Sequence, residues 1–488
     1  MMKANRLPVE ETLDPLDWES TRAAAYRMVD ESIDRLAGLR GQPVWQPMPD
    51  QVRAFFKQPA PRQPAPLDEI YDELKRNLLP HSMGNIHPRF WAWYMGAGNF
   101  TGALAEFLGA IDGSNLGGGD TGAKALELQA VDWLKELLGF PETASGTMTS
   151  GGSIANLLCL NVARNAMAGN DVRAEGITSL PQPLRFYASD QAHSCGQKAL
   201  EILGLGARAL HIVPSNAGLA MDIGALEVAI SGDRAKGFKP VCVIATAGTT
   251  NTGSIDDIEA IERICRRENI WFHVDGCIGA LLKLSANHAQ LVKGIERADS
   301  LALDPHKLMQ APFNTSCALI RNRELHRATF TLHHAYLEEK PRGIGSGEFL
   351  ADYSLELTRS PMALKVWMML KQHGSEKFGR LIDQNIAQAR YLAGLVRAEP
   401  KLELMLEPAI NIVCFRHRSP SVDEEATKSL NTEIMLRLQE QGIAAPSDTT
   451  IHGKHCLRAA IANHRTKTGD LDLLVEAVLK LGAEILGG

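Results

Sequence analysis

Between about residues 100 and 320 the chain alternates helix-like segments with short, nearly uninterrupted apolar runs, and this alternation constrains its fold more than any other feature. Segments such as "EFLGAID", "ALELQAVDWLKELLG" and "ANLLCLNVARNAM" carry apolar residues at helical spacing. By contrast "LRFYAS", "ALHIV", "PVCVIATA", "IWFHVD" and "CALIRN" are too short for helices and too apolar for strands with one wet face. Strands of that kind are covered on both sides, and the helices between them supply the cover. The pattern predicts an α/β domain on a largely parallel, buried sheet.

The flanks read differently. Residues 16–39 place Trp18, Ala25, Val29, Ile33 and Leu36 on one face, which predicts an amphipathic helix ending near Gly38. The next stretch, "GQPVWQPMPDQVRAFFKQPAPRQPAPLDE", holds too many prolines for a long helix. Residues 1–90 are therefore expected to form a helical and extended arm that packs on another domain or subunit. The α/β domain is expected over 91–370. Over 371–488, "ELMLEPAINIVCFRH", "CLRAAIAN" and "DLDLLVEAVLKLGAEIL" predict a smaller α+β domain. At 488 residues the chain is long enough for this division.

Composition excludes several functions. A net charge of −6 gives no global basic field for nucleic acid or anionic membranes. The eight cysteines are scattered without a CxxC pair, which fits a reducing compartment and argues against a thiolate metal site. Two histidine-containing clusters, "HHAYLEEK" and "IHGKHC", lack metal-ligand spacing, so no metal is expected. The first residues carry no apolar signal-like core, and no apolar run approaches the roughly 20 residues that span a bilayer. A cytoplasmic protein is the expectation.

Four features fall at strand ends, where open sheets bind ligands. "TMTSGGSIANLLCL" places Gly151, Gly152 and Ser153 before a helix whose first amides suit an anion, though it also reads as an ordinary turn. "YASDQAHSCGQKAL" puts His193 between a strand and a helix, a position that structural histidines also take. "VIATAGTTNTGSIDD" runs from a strand into small and hydroxyl residues, Thr246 and Thr250 among them, which either leave room for a flat ligand or make a tight turn. "IWFHVDGCIG" ends a strand on Asp275, which either caps a helix or faces a cation. Lys307 follows 32 residues later, an interval that fits one crossover and brings both side chains to one face of the sheet. A lysine, a carboxylate, a phosphate cradle and a flat imidazole together match the needs of pyridoxal phosphate chemistry.

In their order, "TSGGSIAN", "SDQAHSC", "TAGTTNTGSID", "HVDGC" and "ADSLALDPHK" resemble the group II pyridoxal-phosphate-dependent amino-acid decarboxylases. The likeness extends to "HPRFWAWY", "TRSPMALKVWMML" and "LRAAIANHRT", and so spans most of the chain. It implies a fold-type I enzyme with pyridoxal 5'-phosphate as cofactor, acting as a homodimer with shared sites. By that resemblance Lys307 anchors the cofactor and Asp275 holds its ring nitrogen. His193 stacks on the ring, Thr250 lies beside it, and Gly152, Ser153 and His306 hold the phosphate. Tyr353, downstream of Gly343, Gly345 and Gly347, is the expected proton donor on a mobile loop.

The reaction so implied is decarboxylation of an L-amino acid to its amine. His87, Trp93, Tyr94 and Asn115 are the expected substrate wall, and their aromatic character leans toward an aromatic substrate. Asp120 and the replacement of the common Ala-Ala-Tyr after Asp275 by Gly276-Cys277-Ile278 leave acidic or diamino substrates open. An aldehyde synthase, a carbon–carbon lyase and a catalytically silent cofactor-binding partner are the other readings.

Overall fold

A computed structural model describes residues 11–332, 339–420 and 422–487. Its centre is a seven-stranded sheet of β1 (Ser145–Thr149), β2 (Leu184–Ser189), β3 (Leu210–Val213), β4 (Lys239–Thr246), β5 (Trp271–Asp275), β6 (Ser300–Leu303) and β7 (Ser316–Ile320). The spatial order is β1-β7-β6-β5-β4-β2-β3. Neighbours from β6 through β5, β4 and β2 to β3 are parallel, while β7 runs antiparallel to both β1 and β6. The chain thus has the predicted α/β architecture, with one reversed strand. Helix-bearing connections separate the parallel strands, as the crossover rule requires, whereas the link from β6 to β7, residues 304–315, carries no helix and returns antiparallel.

Successive residues of the central strands enter different cores. Val243 and Ala245 of β4 pack with Phe272 and Val274 of β5 on one face. Cys242 and Ile244 pack with Trp271 and Ala302 on the other. Burial on both faces explains the lack of polar alternation in these runs. Two strands of this sheet were not singled out by sequence patterning, β6, "SLAL", and β1, "SGTMT". Gly146 there sits so close to β7 and the helix Gly122–Leu138 that a Cβ would lie 2.6 Å from Leu319 Cδ2 and 2.7 Å from Val131 Cγ1.

A second sheet of β8 (Leu402–Leu404), β9 (Ile412–His417), β10 (Ser447–Ile451) and β11 (Lys454–Ala460) is antiparallel throughout, in the order β10-β11-β9-β8. The helix Thr468–Gly487 packs beside it. The helix Trp18–Ala37 forms where expected, with Asp17 as its N-cap and Gly38 at its end. Its apolar stripe, however, is not covered within one chain, because Trp18, Val29 and Ile33 are all exposed. Among the described residues no helix is long and apolar enough to cross a membrane.

Candidate active site

The carboxyl ends of β4, β5 and β6 meet at a cavity of about 290 Å³. Register fixes its base. Thr246 of β4 lies opposite Asp275 of β5, which lies opposite Ala302 of β6. The Ala247 and Gly276 amides donate to the Asp275 and Ala302 carbonyls at 2.9 Å each, so the hydrogen-bond ladder continues past the strand ends. Two residues past Ala302, Asp304 opens the turn that carries Lys307, and the Lys307 amide donates back to the Asp304 carbonyl at 2.9 Å.

Lys307 and Asp304 form an ion pair at 2.9 Å inside this cavity. Burial by itself would push the lysine toward neutrality, but Asp304, helped by Cys277 and Asp275, holds the amine above the usual lysine range. Burial likewise disfavours the Asp304 carboxylate. Lys307 and His306 outweigh it, together with the Ser316 hydroxyl that donates at 2.6 Å, and the carboxyl sits below its ordinary value.

Asp275 is nearly buried. Its Oδ1 accepts the Cys277 amide at 3.2 Å, and its Oδ2 receives only the Cys195 thiol, at 4.0 Å. That second oxygen has capacity for a stronger donor in the cavity. The Thr246 hydroxyl, which also lines the cavity, is buried with no partner among the described residues. His193 is exposed and lines the cavity. Its Nδ1 accepts the Cys195 amide at 3.2 Å, which leaves the proton on Nε2.

The helix Gly152–Met167 aims its N-terminus at the same space, with Ser150, Gly151, Gly152 and Ser153 along the wall. Its first amides have no intrahelical acceptor, and the Gly151 cap contributes no side chain. Gly152 matters for closeness. A Cβ there would sit 2.6 Å from Cys277 Sγ and 2.8 Å from Asp304 Oδ2. Opposite, His306 directs Nδ1 to the Thr315 carbonyl at 2.9 Å, so Nδ1 carries the proton and Nε2 donates only when the ring is charged. Burial pushes His306 below the usual histidine range.

Two buried cations shape the rim through backbone carbonyls. Lys365 reaches the carbonyls of Phe313 at 3.0 Å and Asn314 at 3.3 Å and pairs with Glu106 at 2.6 Å. Arg458 of β11 donates to the carbonyls of Trp93 at 2.5 Å, Asn251 at 2.8 Å and Thr250. Thr250 thereby reaches the cavity as part of a turn gripped from the second sheet. Asp304, Lys365 and Arg458 were not singled out by sequence. Only for Asp304 was there a signal, a carboxylate three residues before the lysine.

The expected substrate wall does not assemble around Lys307 within one chain. His87 is buried against the arm, its Nε2 3.1 Å from the Gln42 carbonyl, and lines a separate cavity. Tyr94 is in the core, where burial pushes its hydroxyl up to about 12 and Asn411 accepts its proton at 3.1 Å. Trp93 is exposed at a left-handed φ of 52°. Asn115 accepts the Gly117 and Arg359 amides at 3.0 Å each, which organises its own loop. Asp120 is exposed. Nor does Tyr353 face the cavity. It is buried, its hydroxyl bonded to Glu348 and held by Arg323 at 3.1 Å. The cluster "HHAYLEEK" lies largely outside the described residues. Among the described residues no group of side chains could hold a metal ion.

An amine, a carboxylate with spare capacity, an unpaired hydroxyl and an open helix N-terminus form one donor set for a flat, phosphorylated, aldehyde-bearing ring. Pyridoxal phosphate fits it. Residues 49–418 match the family model described as the pyridoxal-dependent decarboxylase conserved domain. The aromatic-L-amino-acid decarboxylase of Bacillus atrophaeus is 32% identical over 96% of this chain and 97% of its own length. Tryptophan decarboxylase 2 of Oryza sativa subsp. japonica is 28% identical over 98% and 97%. Among solved structures, Oryza sativa TDC with PLP and tryptamine superposes with a TM-score of 0.90 at 24% identity, covering 97% of this chain and all of that one.

Proposed function

The chain belongs to the pyridoxal-dependent decarboxylase family, and from that premise we propose that the Lys307 cavity decarboxylates an aromatic L-amino acid to its amine. The enzyme is a carboxy-lyase with pyridoxal phosphate as cofactor. The observation that carries the site assignment is the convergence of Lys307, Asp275 and the open end of the helix Gly152–Met167 on one cavity.

When bound, the cofactor supplies an electron sink for the pair released as the bond between Cα and the carboxylate breaks. The protein's own residues do the rest. Lys307 is the covalent anchor, and Asp304 Oδ2 is the acceptor nearest the proton that Nζ must lose to become a nucleophile. Asp275 Oδ2 holds a proton on the ring nitrogen, since its one intrachain donor is a distant thiol. Gly152 and Ser153 would offer amides to the phosphate, and His306 would join them once the phosphate's charge offsets its burial and Nε2 takes up a proton. The His193 ring covers the flat cofactor and keeps water from it, with Thr250 beside it. Which bond to Cα is broken would be decided by how the cavity walls orient the substrate against the bound cofactor.

A homodimer is the proposed assembly. Trp18, Val29 and Ile33 of the first helix are exposed, as are Phe107, Leu108 and Ile111 of the helix Phe100–Asp112, an amount of apolar surface that a partner copy would cover. In such a dimer Trp93 is the exposed aromatic available as substrate wall.

Incubating the cofactor-loaded enzyme with a panel of L-amino acids, with carbon dioxide, amine, aldehyde and hydrogen peroxide measured together, tests the reading. Stoichiometric carbon dioxide and amine from tryptophan, tyrosine or phenylalanine are expected. Aldehyde with peroxide would make it an aldehyde synthase instead, and turnover only of glutamate or diamino acids would overturn the substrate class.

A further inference from the structure

His273 of β5 is fully buried between Phe272 and Val274 and does not itself line the Lys307 cavity. An imidazole in such a place is costly unless its nitrogens are bonded, and both are. Nδ1 lies 2.8 Å from the Ser300 hydroxyl of β6, and Nε2 lies 2.8 Å from Asn156 Oδ1. Asn156 stands on the helix Gly152–Met167, is 1% exposed, and does line the cavity.

The partners fix which way each proton points. Asn156 Nδ2 donates to the Gly152 carbonyl at 2.9 Å and faces Cys277 Sγ at 3.6 Å, so Oδ1 is the atom turned to His273. An amide oxygen only accepts, which puts the imidazole proton on Nε2. Burial holds the ring neutral, down to about 4, against the pull of Asp275 and the Ser300 carbonyl, so Nδ1 accepts. The Ser300 hydroxyl therefore donates to Nδ1, and its oxygen accepts the Trp271 indole N–H at 2.8 Å. Every donor points the same way, from Trp271 to Ser300, His273, Asn156 and the Gly152 carbonyl.

That carbonyl shares a peptide unit with the Ser153 N–H. The Ile154 and Ala155 amides turn back to the Gly151 carbonyl at 3.0 Å each, whereas those of Gly152 and Ser153 have no acceptor among the described residues. A donor on a peptide oxygen draws electrons toward it and leaves the N–H across the same peptide more positive, and donors in series reinforce one another. We propose that these four side chains position the cofactor site: they hold the Gly152–Ser153 peptide in place and strengthen the Ser153 N–H as a donor to the phosphate. Packing alone requires neither a common direction nor an end on that peptide. The role rests on reading Gly152 and Ser153 as the phosphate end of the site, and not on which amino acid is decarboxylated.

The test is absorbance titration of the cofactor-free full chain with pyridoxal 5'-phosphate and with pyridoxal, which lacks the phosphate. Wild type should prefer the phosphate ester. Asn156→Ala and His273→Val should each lower affinity for the ester at least about fivefold and leave that for pyridoxal within about twofold. The double variant should lose no more than the worse single one, since both cut the same chain. It also strands neither partner of the pair, so it carries the test where a thermal melt shows a single variant unfolded. Equal losses for both ligands, no loss for either, or losses that add in the double variant would overturn the role. A wild type without preference for the ester would overturn the phosphate reading and this role with it. Variants that behave as expected in a protein that releases no carbon dioxide would set aside the decarboxylase reading alone.

Discussion

Lys307 Nζ lies 2.9 Å from Asp304 Oδ2, three residues away on the turn that follows β6, and this pair gives the buried amine its counterion. Asp304 is 2% exposed, so neither charge could remain there alone. In the cofactor-free protein Lys307→Ala should cost about 3–5 kcal/mol, the usual result of stranding one partner of a buried pair. Adding Asp304→Asn should recover much of that loss. Urea unfolding of the cofactor-free single and double variants measures both, and a double variant no more stable than Lys307→Ala would contradict the coupling. Lys307→Ala should also lack the visible absorbance of a covalently anchored cofactor.

The same pair sets a pH window. The Asp304 value is lowered on folding, so its contribution is present above the unfolded carboxylate value of about 3.9 and is lost as pH falls through the folded one. The Lys307 value is raised, so its contribution is present below about 10.4 and is lost as pH rises through the folded one. Melting temperatures of cofactor-free wild type and Asp304→Asn should therefore differ steadily between about pH 5 and 9 and converge in acid. A gap that persists unchanged to about pH 2 would refute this.

Gly152→Ala should spare the fold and damage the site. Its methyl would meet Cys277 Sγ and both Asp304 oxygens, at 2.6, 2.8 and 3.0 Å. Displacing the carboxylate that holds Lys307 should weaken cofactor binding at least about tenfold in a fluorescence titration, and Cys277→Ala should restore part of it. Wild-type cofactor affinity in Gly152→Ala would show that the close approach is dispensable.

Arg458→Lys keeps the charge but not the span. The guanidinium joins the second sheet to Trp93 and to the Thr250–Asn251 turn, and one ammonium cannot reach all three carbonyls. An unmet buried carbonyl costs about 1–3 kcal/mol. Steady-state kinetics should show kcat/KM falling about 10- to 100-fold at unchanged pH optimum, with Arg458→Gln worse. Equal activity in wild type and Arg458→Lys would remove the positioning role.

Tyr353 bonds Glu348 and Arg323 outside the Lys307 cavity of its own chain, so a part in the chemistry would have to come across the dimer, in the partner's site. On that reading Tyr353→Phe should lower amine production at least about tenfold at a stability cost of about 1 kcal/mol, and turnover within about twofold of wild type would confine the hydroxyl to its own loop.

Much of the fold was legible because strands covered on both faces leave an unmistakable apolar signature. The buried runs at β2 to β5 and β7 were visible in the sequence, whereas β1 was not, since its glycine and threonines owe their strand to close packing against Leu319 and Val131. The residues quoted at the strand ends, Lys307, Asp275, His193, His306, Thr250, Gly152 and Ser153, line one cavity because parallel strands deliver all their carboxyl ends to one side. His87, Tyr94 and Asn115 carried no such positional logic. Their chemistry suited a pocket, but contacts with Gln42, Asn411 and Arg359 claim them elsewhere.

By itself the sequence determined the sheet class, the order of the motifs and the lysine on which they converge, all of which follow from local pattern and chain direction. Only the tertiary structure decided which charges sit beside that lysine and what holds the rim. Asp304, Lys365 and Arg458 act on groups that proximity selects, and for Lys365 and Arg458 those groups are backbone carbonyls, which every residue carries and no sequence pattern marks.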